Sequence, residues 1–155
     1  MQKRGTAWVL GQTILLAGIV LVPSRIEGLP VLADSLVALA TILGPILVIA
    51  GLVVLGLGSL NLGPNMTVFP RPRENGTLVQ TGIYGIVRHP IYSGLLLTTL
   101  GWSIYRASLP SLLLTLVLGI LLDRKAYQEE LWLQEKYPEY AVYRTRVHKL
   151  IPWVY

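Results

Sequence analysis

The residues that could do chemistry stand on either side of one long apolar segment, residues 91–122. Arg88 and His89 come just before this segment, and the acidic residues Glu129 and Glu130 follow shortly after it. A guanidinium group can hold a carboxylate through two parallel hydrogen bonds. A glutamate can bind an ammonium group, or accept a proton from a reacting amine. These side chains are therefore suited to a charged ligand.

Each of these residues also has an ordinary structural explanation. An arginine at the edge of a membrane span often reaches for the interface. His89 and Pro90 could simply begin a helix, where the missing N–H of a proline costs nothing. Glu129 could belong to a solvated helix face on which Lys125 lies four residues earlier. Three tyrosines at a spacing of three residues could form an aromatic belt at the interface: Tyr137, Tyr140 and Tyr143.

The composition excludes several classes of protein. Of the 155 residues, 53% are hydrophobic and only 14% are charged, whereas soluble domains carry about a quarter charged residues. The net charge of +5 comes from basic residues scattered through short loops and the C-terminal tail, which is typical of membrane proteins and not of nucleic-acid binding. The absence of cysteine excludes disulfides and thiolate chemistry. The two histidines, His89 and His148, lack carboxylates at ligand spacing, so we expect no metal site.

Three apolar runs predict four membrane-spanning helices, since one span needs about 20 apolar residues. Residues 6–22 form a short span. Its end, Leu-Val-Pro-Ser-Arg, is a poor cleavage site, so we expect a retained helix and not a signal peptide. Residues 34–60 form one long span, tilted or kinked at Pro45. Residues 91–122 are too many for one span and predict a hairpin that turns at residues 106–110.

The basic residues predict the orientation of these spans. One side of the membrane would hold only Arg25 and Arg106. The other side would hold the remaining basic residues: Lys3, Arg4, Arg71, Arg73, Arg88, Arg124, Lys125, Lys136, Arg144, Arg146 and Lys149. We therefore expect a single-domain, all-α integral membrane protein with both termini in the cytoplasm and a last helix that extends into the cytosol. Its parts would be two N-terminal spans (1–60), a cytoplasmic loop (61–90), and a hairpin with a C-terminal tail (91–155).

The C-terminal half of the chain carries a motif that goes beyond single residues. It reads Gly82-x-Tyr84-x-x-x-Arg88-His89-Pro90-x-Tyr92-x-Gly94, and it is followed by the hairpin, Glu129-Glu130, Arg146-Val147 and Ile151-Pro152. From about residue 78 to residue 152 the sequence resembles the isoprenylcysteine carboxyl methyltransferase family and its wider kin, the phospholipid N-methyltransferases. The resemblance implies an all-helical membrane enzyme that binds S-adenosylmethionine on the cytoplasmic side, releases S-adenosylhomocysteine and takes its substrate from the bilayer.

The resemblance also implies a role for each residue of the motif. The cofactor-binding residues would be Tyr84, His89, Pro90, Tyr92, Gly94, Glu129, Glu130 and Tyr137. Arg88 and Arg146 would act in catalysis by orienting an anionic headgroup, because a guanidinium holds a carboxylate bidentately. One glutamate would meet the ammonium group or the ribose hydroxyls of the cofactor, and the sequence does not decide which. Gly94 would permit the close approach of the cofactor or of a helix.

Several alternatives stay open at this point. The methyl group could pass to a carboxylate, which needs no base, or to an amine, which needs a proton acceptor. A membrane reductase of the sterol-reductase type would bind NADPH in place of a methyl donor. A helical membrane protein without enzymatic activity would use the same polar residues only to flank its spans. For the enzyme we expect a lipophilic small molecule or lipid as substrate and contact with membrane lipids, but no nucleic acid and no metal; the oligomeric state stays open.

Overall fold

Helices make up most of the computed structural model, which describes residues 5–28 and 34–155. Lys3 and Arg4, which count toward the predicted charge asymmetry, lie outside these residues. The α-helices are α1 (Thr6–Leu21), α2 (Asp34–Leu62), α3 (Pro90–Tyr105), α4 (Leu109–Lys136) and α5 (Tyr140–Arg146), with 3₁₀ turns at Gly63–Asn65 and Gly82–Gly85. Among the described residues, extended pairing is limited to one isolated bridge between Val87 and His148. The predicted all-α class is confirmed.

Residues 91–122 fold as a helical hairpin, as their length predicts. The turn lies at residues 106–108, between α3 and α4. The Ser108 hydroxyl caps α4 by accepting a hydrogen bond from the Ser111 N–H at 3.2 Å. Arg106 donates to the carbonyl of Val20 at 2.8 Å. The turn is thereby tied to the last turn of α1.

α4 continues well past the apolar run, which confirms the predicted extension of the last long helix. It has 28 residues and is therefore about 42 Å long at 1.5 Å per residue. Its apolar part stops at Leu122, and polar and charged residues dominate the remainder. The helix ends at Lys136, two residues before Pro138, because a proline disfavours helical backbone in the residue before it.

One helical stretch of the described chain, Leu36–Asn65, is long and apolar enough to cross a membrane, with a mean hydropathy of 2.7. The helix runs through Pro45 without ending there. α1 is also apolar but shorter, with 16 residues. The number of spans and the side on which the termini lie stay predictions.

α2 and α3 pack backbone against backbone along a seam of glycines. A Cβ at Gly51 would lie 2.8 Å from the Gly94 carbonyl oxygen, and a Cβ at Gly94 would lie 2.6 Å from the Leu55 nitrogen. The seam glycines recur every seven residues on each helix: Gly44, Gly51 and Gly58 on α2, Gly94 and Gly101 on α3. Small residues let helix backbones approach closely, which favours association in a membrane. The seam therefore fixes the position of α3.

α4 packs on α3 and α1, so that the helices follow the order α2, α3, α4, α1 across the molecule. The centre of the apolar core is fully buried and consists of Ile19, Leu118 and Leu122. Large apolar side chains elsewhere point outward, and Leu60 and Ile14 are 77% and 71% exposed. Apolar surface on this scale marks an interaction with lipid or with a partner.

Candidate functional site

A cavity of about 270 Å³ lies where α4 leaves the apolar part of the hairpin, between α1, α3, α4, α5 and the loop 61–89. Apolar side chains of α1 and the loop face charged and aromatic side chains of the other helices. The polar and aromatic lining residues are Gln12, Thr13, Asn65, Thr67, Arg73, Thr77, Tyr84, Arg88, His89, Tyr92, Lys125, Glu129, Tyr137, Tyr140 and Tyr143. This volume lies close to the about 300 Å³ at which small-molecule sites begin.

Backbone pairing places Arg88 and His89 at this cavity. His89 precedes a proline and has a non-helical backbone, with φ −125° and ψ 60°. The N–H groups of Arg88 and His89 donate to the carbonyls of His148 and Lys149 at 2.8 and 3.1 Å. Pro90 then begins α3, where its missing N–H costs nothing. The tail of the chain is thereby held against the start of α3.

Glu130 joins three segments through its buried carboxylate. Arg88 Nε donates to Oε1 at 2.8 Å, and His89 Nε2 lies 3.1 Å from the same oxygen. Arg144 Nε, on α5, lies 3.4 Å from Oε2. Burial alone would raise the pKa of Glu130, but the hydrogen bonds and charges of His89 and Arg88 lower it to about 2. The ionised carboxylate therefore acts as a clamp between α3, α4 and α5.

Glu129, the preceding residue, faces the cavity. The Tyr92 hydroxyl donates to its Oε2 at 2.8 Å, and His89 Nδ1 lies 3.7 Å from that oxygen. The rings of His89 and Tyr92 stack in parallel with their centroids 5.4 Å apart. Burial raises the pKa of Glu129, while His89 and the Tyr92 hydrogen bond oppose this rise. Of the two glutamates, Glu129 is thus the one left to meet a ligand.

Lys125 is a cation in the cavity wall that the sequence assigned to a solvated helix face. It is only 3% exposed. Its Nζ donates to Gln12 Oε1 at 2.7 Å and lies 5.1 Å from the centroid of the Tyr92 ring. The four-residue spacing to Glu129 was the signal that could have placed Lys125 in the site. That signal is weak, since the same spacing is typical of surface ion pairs.

Tyrosines hold the loop over the cavity. The Tyr137 hydroxyl donates to the Gly76 carbonyl at 2.5 Å, and the Tyr143 hydroxyl donates to the Tyr84 carbonyl at 2.6 Å. Tyr140 is 1% exposed, and its hydroxyl has no hydrogen-bond partner in the part of the chain that the structure describes. A buried hydroxyl without a partner is unfavourable.

The structure brings together six of the residues that the sequence selected, all of them in the cavity wall: Tyr84, Arg88, His89, Tyr92, Glu129 and Tyr137. Three others lie outside that wall. Pro90 starts α3 and packs near Gly58 of α2. Gly94 packs against Leu55, so its close approach is to a helix. Glu130 forms the clamp behind His89.

Arg146, the remaining selected residue, is exposed at the end of α5. It lines a second cavity of about 350 Å³ together with Arg88 and other basic residues: Arg144, His148 and Lys149. Arg88 borders both cavities, but its Nε donates to Glu130 and its Nη1 donates to two backbone carbonyls of the α5 segment. The two arginines therefore share one space, and the Glu130 clamp separates that space from Glu129.

The chain is similar in sequence to known methyltransferases. A family model described as phospholipid methyltransferase matches residues 39–140. Two curated proteins, from Oryza sativa subsp. indica and subsp. japonica, are each named probable protein-S-isoprenylcysteine O-methyltransferase. Each is 30% identical to this chain over 115 residues, which are 72% of this chain and 60% of the relative. The chain thus spans about 60% of the length of these relatives.

A solved structure shares the helical architecture. It is the eukaryotic intramembrane Ras methyltransferase, isoprenylcysteine carboxyl methyltransferase, without a monobody. The match has a TM-score of 0.69 and 22% sequence identity, and it covers 96% of this chain and 52% of the other. At this identity the likeness is one of fold.

Proposed function

This chain belongs to the phospholipid methyltransferase family, whose model matches residues 39–140, and we propose that it transfers a methyl group from S-adenosylmethionine to a lipophilic or lipid-linked substrate. The family that the sequence motif predicted is confirmed by this match. The observation that carries the proposal is the cavity in which Glu129, the His89–Tyr92 stack and Lys125 meet beside apolar helices. We place this site on the cytoplasmic face of the membrane, because most basic residues are predicted to lie there.

The lining of the cavity fits the methyl donor. S-adenosylmethionine carries an ammonium group, a carboxylate, a sulfonium and an adenosine. Glu129 offers an anionic acceptor for the ammonium group, and aromatic rings such as those of Tyr92 and Tyr137 suit a sulfonium or an adenine. Together these groups complement the charges of the donor, whereas a purely apolar ligand would leave them without partners.

The residues of this chain would act mainly by positioning and by excluding water. When bound, the methyl donor supplies an electrophilic methyl group that a nucleophile takes in one displacement. Tyr137 and Tyr143 hold the loop over the cavity, which would limit the access of bulk water to the donor. A carboxylate nucleophile is ionised near neutral pH and needs no base. An amine nucleophile would need a proton acceptor, and Glu129 would then take that role in place of binding the donor's ammonium group; its raised pKa favours proton uptake.

The substrate is proposed to be amphipathic. The curated relatives are named as protein-S-isoprenylcysteine O-methyltransferases, which supports a lipid-linked acceptor here. Val9 of α1 provides an apolar wall of the cavity on the side of the hairpin core. Arg146, exposed beside Arg88, would orient an anionic headgroup at the surface, since a guanidinium matches a carboxylate bidentately. Arg88 would hold this arrangement through Glu130.

Binding and turnover of the detergent-purified protein test the proposal. We expect S-adenosylhomocysteine to bind in isothermal titration and NADPH not to bind. Methyl transfer from labelled S-adenosylmethionine to lipophilic acids, amines and phenols then identifies the acceptor class, and we expect the acids to be methylated. Binding of NADPH without S-adenosylhomocysteine would instead indicate a reductase. Absence of both would indicate a protein without either activity.

A further inference from the structure

Two opposite charges face the cavity one helical turn apart, and among the described residues each forms its hydrogen bonds with other groups. Lys125 and Glu129 lie on the same face of α4. The Lys125 ammonium donates to Gln12 on α1, and the Glu129 carboxylate accepts from Tyr92 on α3. Each charge is therefore held by a neutral partner from a different helix. Such an arrangement keeps both charges directed at the space between the helices.

The ammonium of Lys125 belongs to a side chain that is almost fully buried. Its other contact is with the carbonyl of Val68 at 3.4 Å, and among the described residues its hydrogen bonds go to neutral acceptors only. Lys149, which is also buried, instead forms an ion pair with Asp123. Burying a cation without a hydrogen-bonded counter-charge is unfavourable. The cavity wall thus holds a positive charge that an anionic ligand group would stabilise.

The carboxylate of Glu129 provides the negative charge of the cavity wall. Its contacts with Tyr92 and His89 both involve Oε2, so Oε1 can accept a hydrogen bond from a ligand. An ammonium and a carboxylate on one ligand, spaced to meet Glu129 and Lys125, would satisfy both charges at once. That pair of groups is the α-amino-acid end of a zwitterionic ligand.

We propose that Lys125 and Glu129 together bind the amino-acid end of the methyl donor, Lys125 its carboxylate and Glu129 its ammonium group. The proposal rests on the proposed methyltransferase function. It leaves for the adenosine end the part of the cavity around Leu133, one turn further along α4, and Tyr137, just after the end of α4. Gln12 acts as a positioning residue, because its side chain holds the ammonium of Lys125 at the cavity wall.

Ligands that lack the carboxylate or the whole amino-acid end show how much each of these groups contributes to binding. Isothermal titration compares S-adenosylhomocysteine, its decarboxylated analogue and 5′-methylthioadenosine, which lacks the amino-acid end entirely. Loss of a charge-assisted hydrogen bond lowers affinity roughly tenfold to a hundredfold. We expect the wild-type protein to bind the decarboxylated analogue more weakly than S-adenosylhomocysteine by this factor. Lys125→Met should bind S-adenosylhomocysteine as weakly as wild type binds the decarboxylated analogue, and it should bind 5′-methylthioadenosine like wild type.

Two further variants complete the test. Arg124→Met removes the neighbouring charge of α4, which is exposed, and it should leave all three affinities unchanged. Lys125→Arg keeps the charge and should recover part of the affinity for S-adenosylhomocysteine. If Lys125→Met fails to fold, the comparison of ligands on wild type still decides, because equal affinity for the carboxylated and decarboxylated forms would overturn the proposal.

The carboxylate that Lys125 binds could also belong to the substrate. Steady-state kinetics distinguish a carboxylate of the substrate from that of the methyl donor. In that case Lys125→Met would bind S-adenosylhomocysteine normally, while KM for a carboxylic acid acceptor would rise and KM for an amine acceptor would not. This result would overturn the assignment to the donor. Failure of wild type to bind S-adenosylhomocysteine would overturn the proposed function itself, which is a separate outcome.

Discussion

Glu129 and Glu130 are neighbours in the chain but have different surroundings, because successive helix residues point about 100° apart. The Glu130 side chain points toward Arg88 and α5, and its carboxylate forms ion pairs with Arg88 and with Arg144 of α5. Glu129 turns toward the cavity and contacts Tyr92 and His89. Glu130 should therefore stabilise the fold, and Glu129 should bind the ligand. Substitution of each by its amide separates these roles.

Glu130→Gln should destabilise the protein in a manner that depends on pH. The pKa of Glu130 falls from 4.5 to about 2 on folding, which corresponds to a stabilisation of about 3 kcal/mol at neutral pH. Because the folded pKa is the lower one, this contribution is present above pH 4.5 and is lost as pH falls toward 2. We expect wild type and variant to differ at pH 7 and to converge near pH 2 in thermal unfolding in detergent. Glu135→Gln, on an exposed position of α4, is the control, and a gap that stays constant with pH would contradict the clamp.

Glu129→Gln should leave stability nearly unchanged but weaken binding of S-adenosylhomocysteine. The amide removes the charge that would meet the ammonium group, and loss of such a hydrogen bond costs about 1.5–3 kcal/mol, or roughly tenfold to a hundredfold in affinity. Titration on wild type, Glu129→Gln and Glu135→Gln measures this effect. Equal affinity in all three proteins would remove Glu129 from the proposed cofactor site.

At the scale of elements, the glycine seam between α2 and α3 positions the start of α3, which carries His89 and Tyr92. Gly51→Ala should move the two helices apart, because its Cβ would lie 2.8 Å from the Gly94 carbonyl oxygen. Overpacking of this kind costs about 1–3 kcal/mol. Both thermal stability and S-adenosylhomocysteine affinity should fall, since the shift carries His89 away from Glu129.

Gly56→Ala supplies the matched control for the seam. Gly56 lies on the same helix, but a Cβ there would meet no atom within 4 Å. Alanine should be neutral or stabilising by up to about 1 kcal/mol through its higher helix propensity. Equal loss of stability in the two variants would show that the effect of Gly51→Ala does not come from close packing at the seam.

The sequence predicts the elements well because long apolar runs bounded by turn-forming residues leave few alternatives to helices. The hairpin at residues 106–108 and the extension of α4 to Lys136 both follow from run length and polarity. Two features of the site did not follow. The pairing of Arg88 and His89 with His148 and Lys149 depends on contacts between distant segments, which periodicity does not record. The seam had a signal, the seven-residue spacing of its glycines, that only a search for helix-packing patterns would use.

At the scale of the whole molecule, the apolar exterior and the placement of the cavity belong together. The cavity lies where α4 passes from its apolar part to its charged part. A ligand there would have the polar loop 61–89 on one side and the apolar helices on the other. An amphipathic substrate could thus keep its tail among the helices while its headgroup approaches the methyl donor held at Glu129 and Lys125. This arrangement requires the loop and the tail to lie on the same side of the membrane.

Single cysteines test this topology, because the chain contains no cysteine of its own. Thr77, in the loop, and Glu139, before α5, are exposed, so that Thr77→Cys and Glu139→Cys should be labelled by a membrane-impermeant maleimide from the cytoplasmic side only. Glu27, after α1, and Tyr105, at the hairpin turn, are exposed as well, and their cysteine variants should be labelled only from the opposite side. The reason is that α3 and α4 would each cross the membrane once and return the chain to the side from which it started. Labelling of Thr77→Cys and Tyr105→Cys from the same side would contradict the four-span arrangement. The cavity would then need a different route for a substrate from the bilayer.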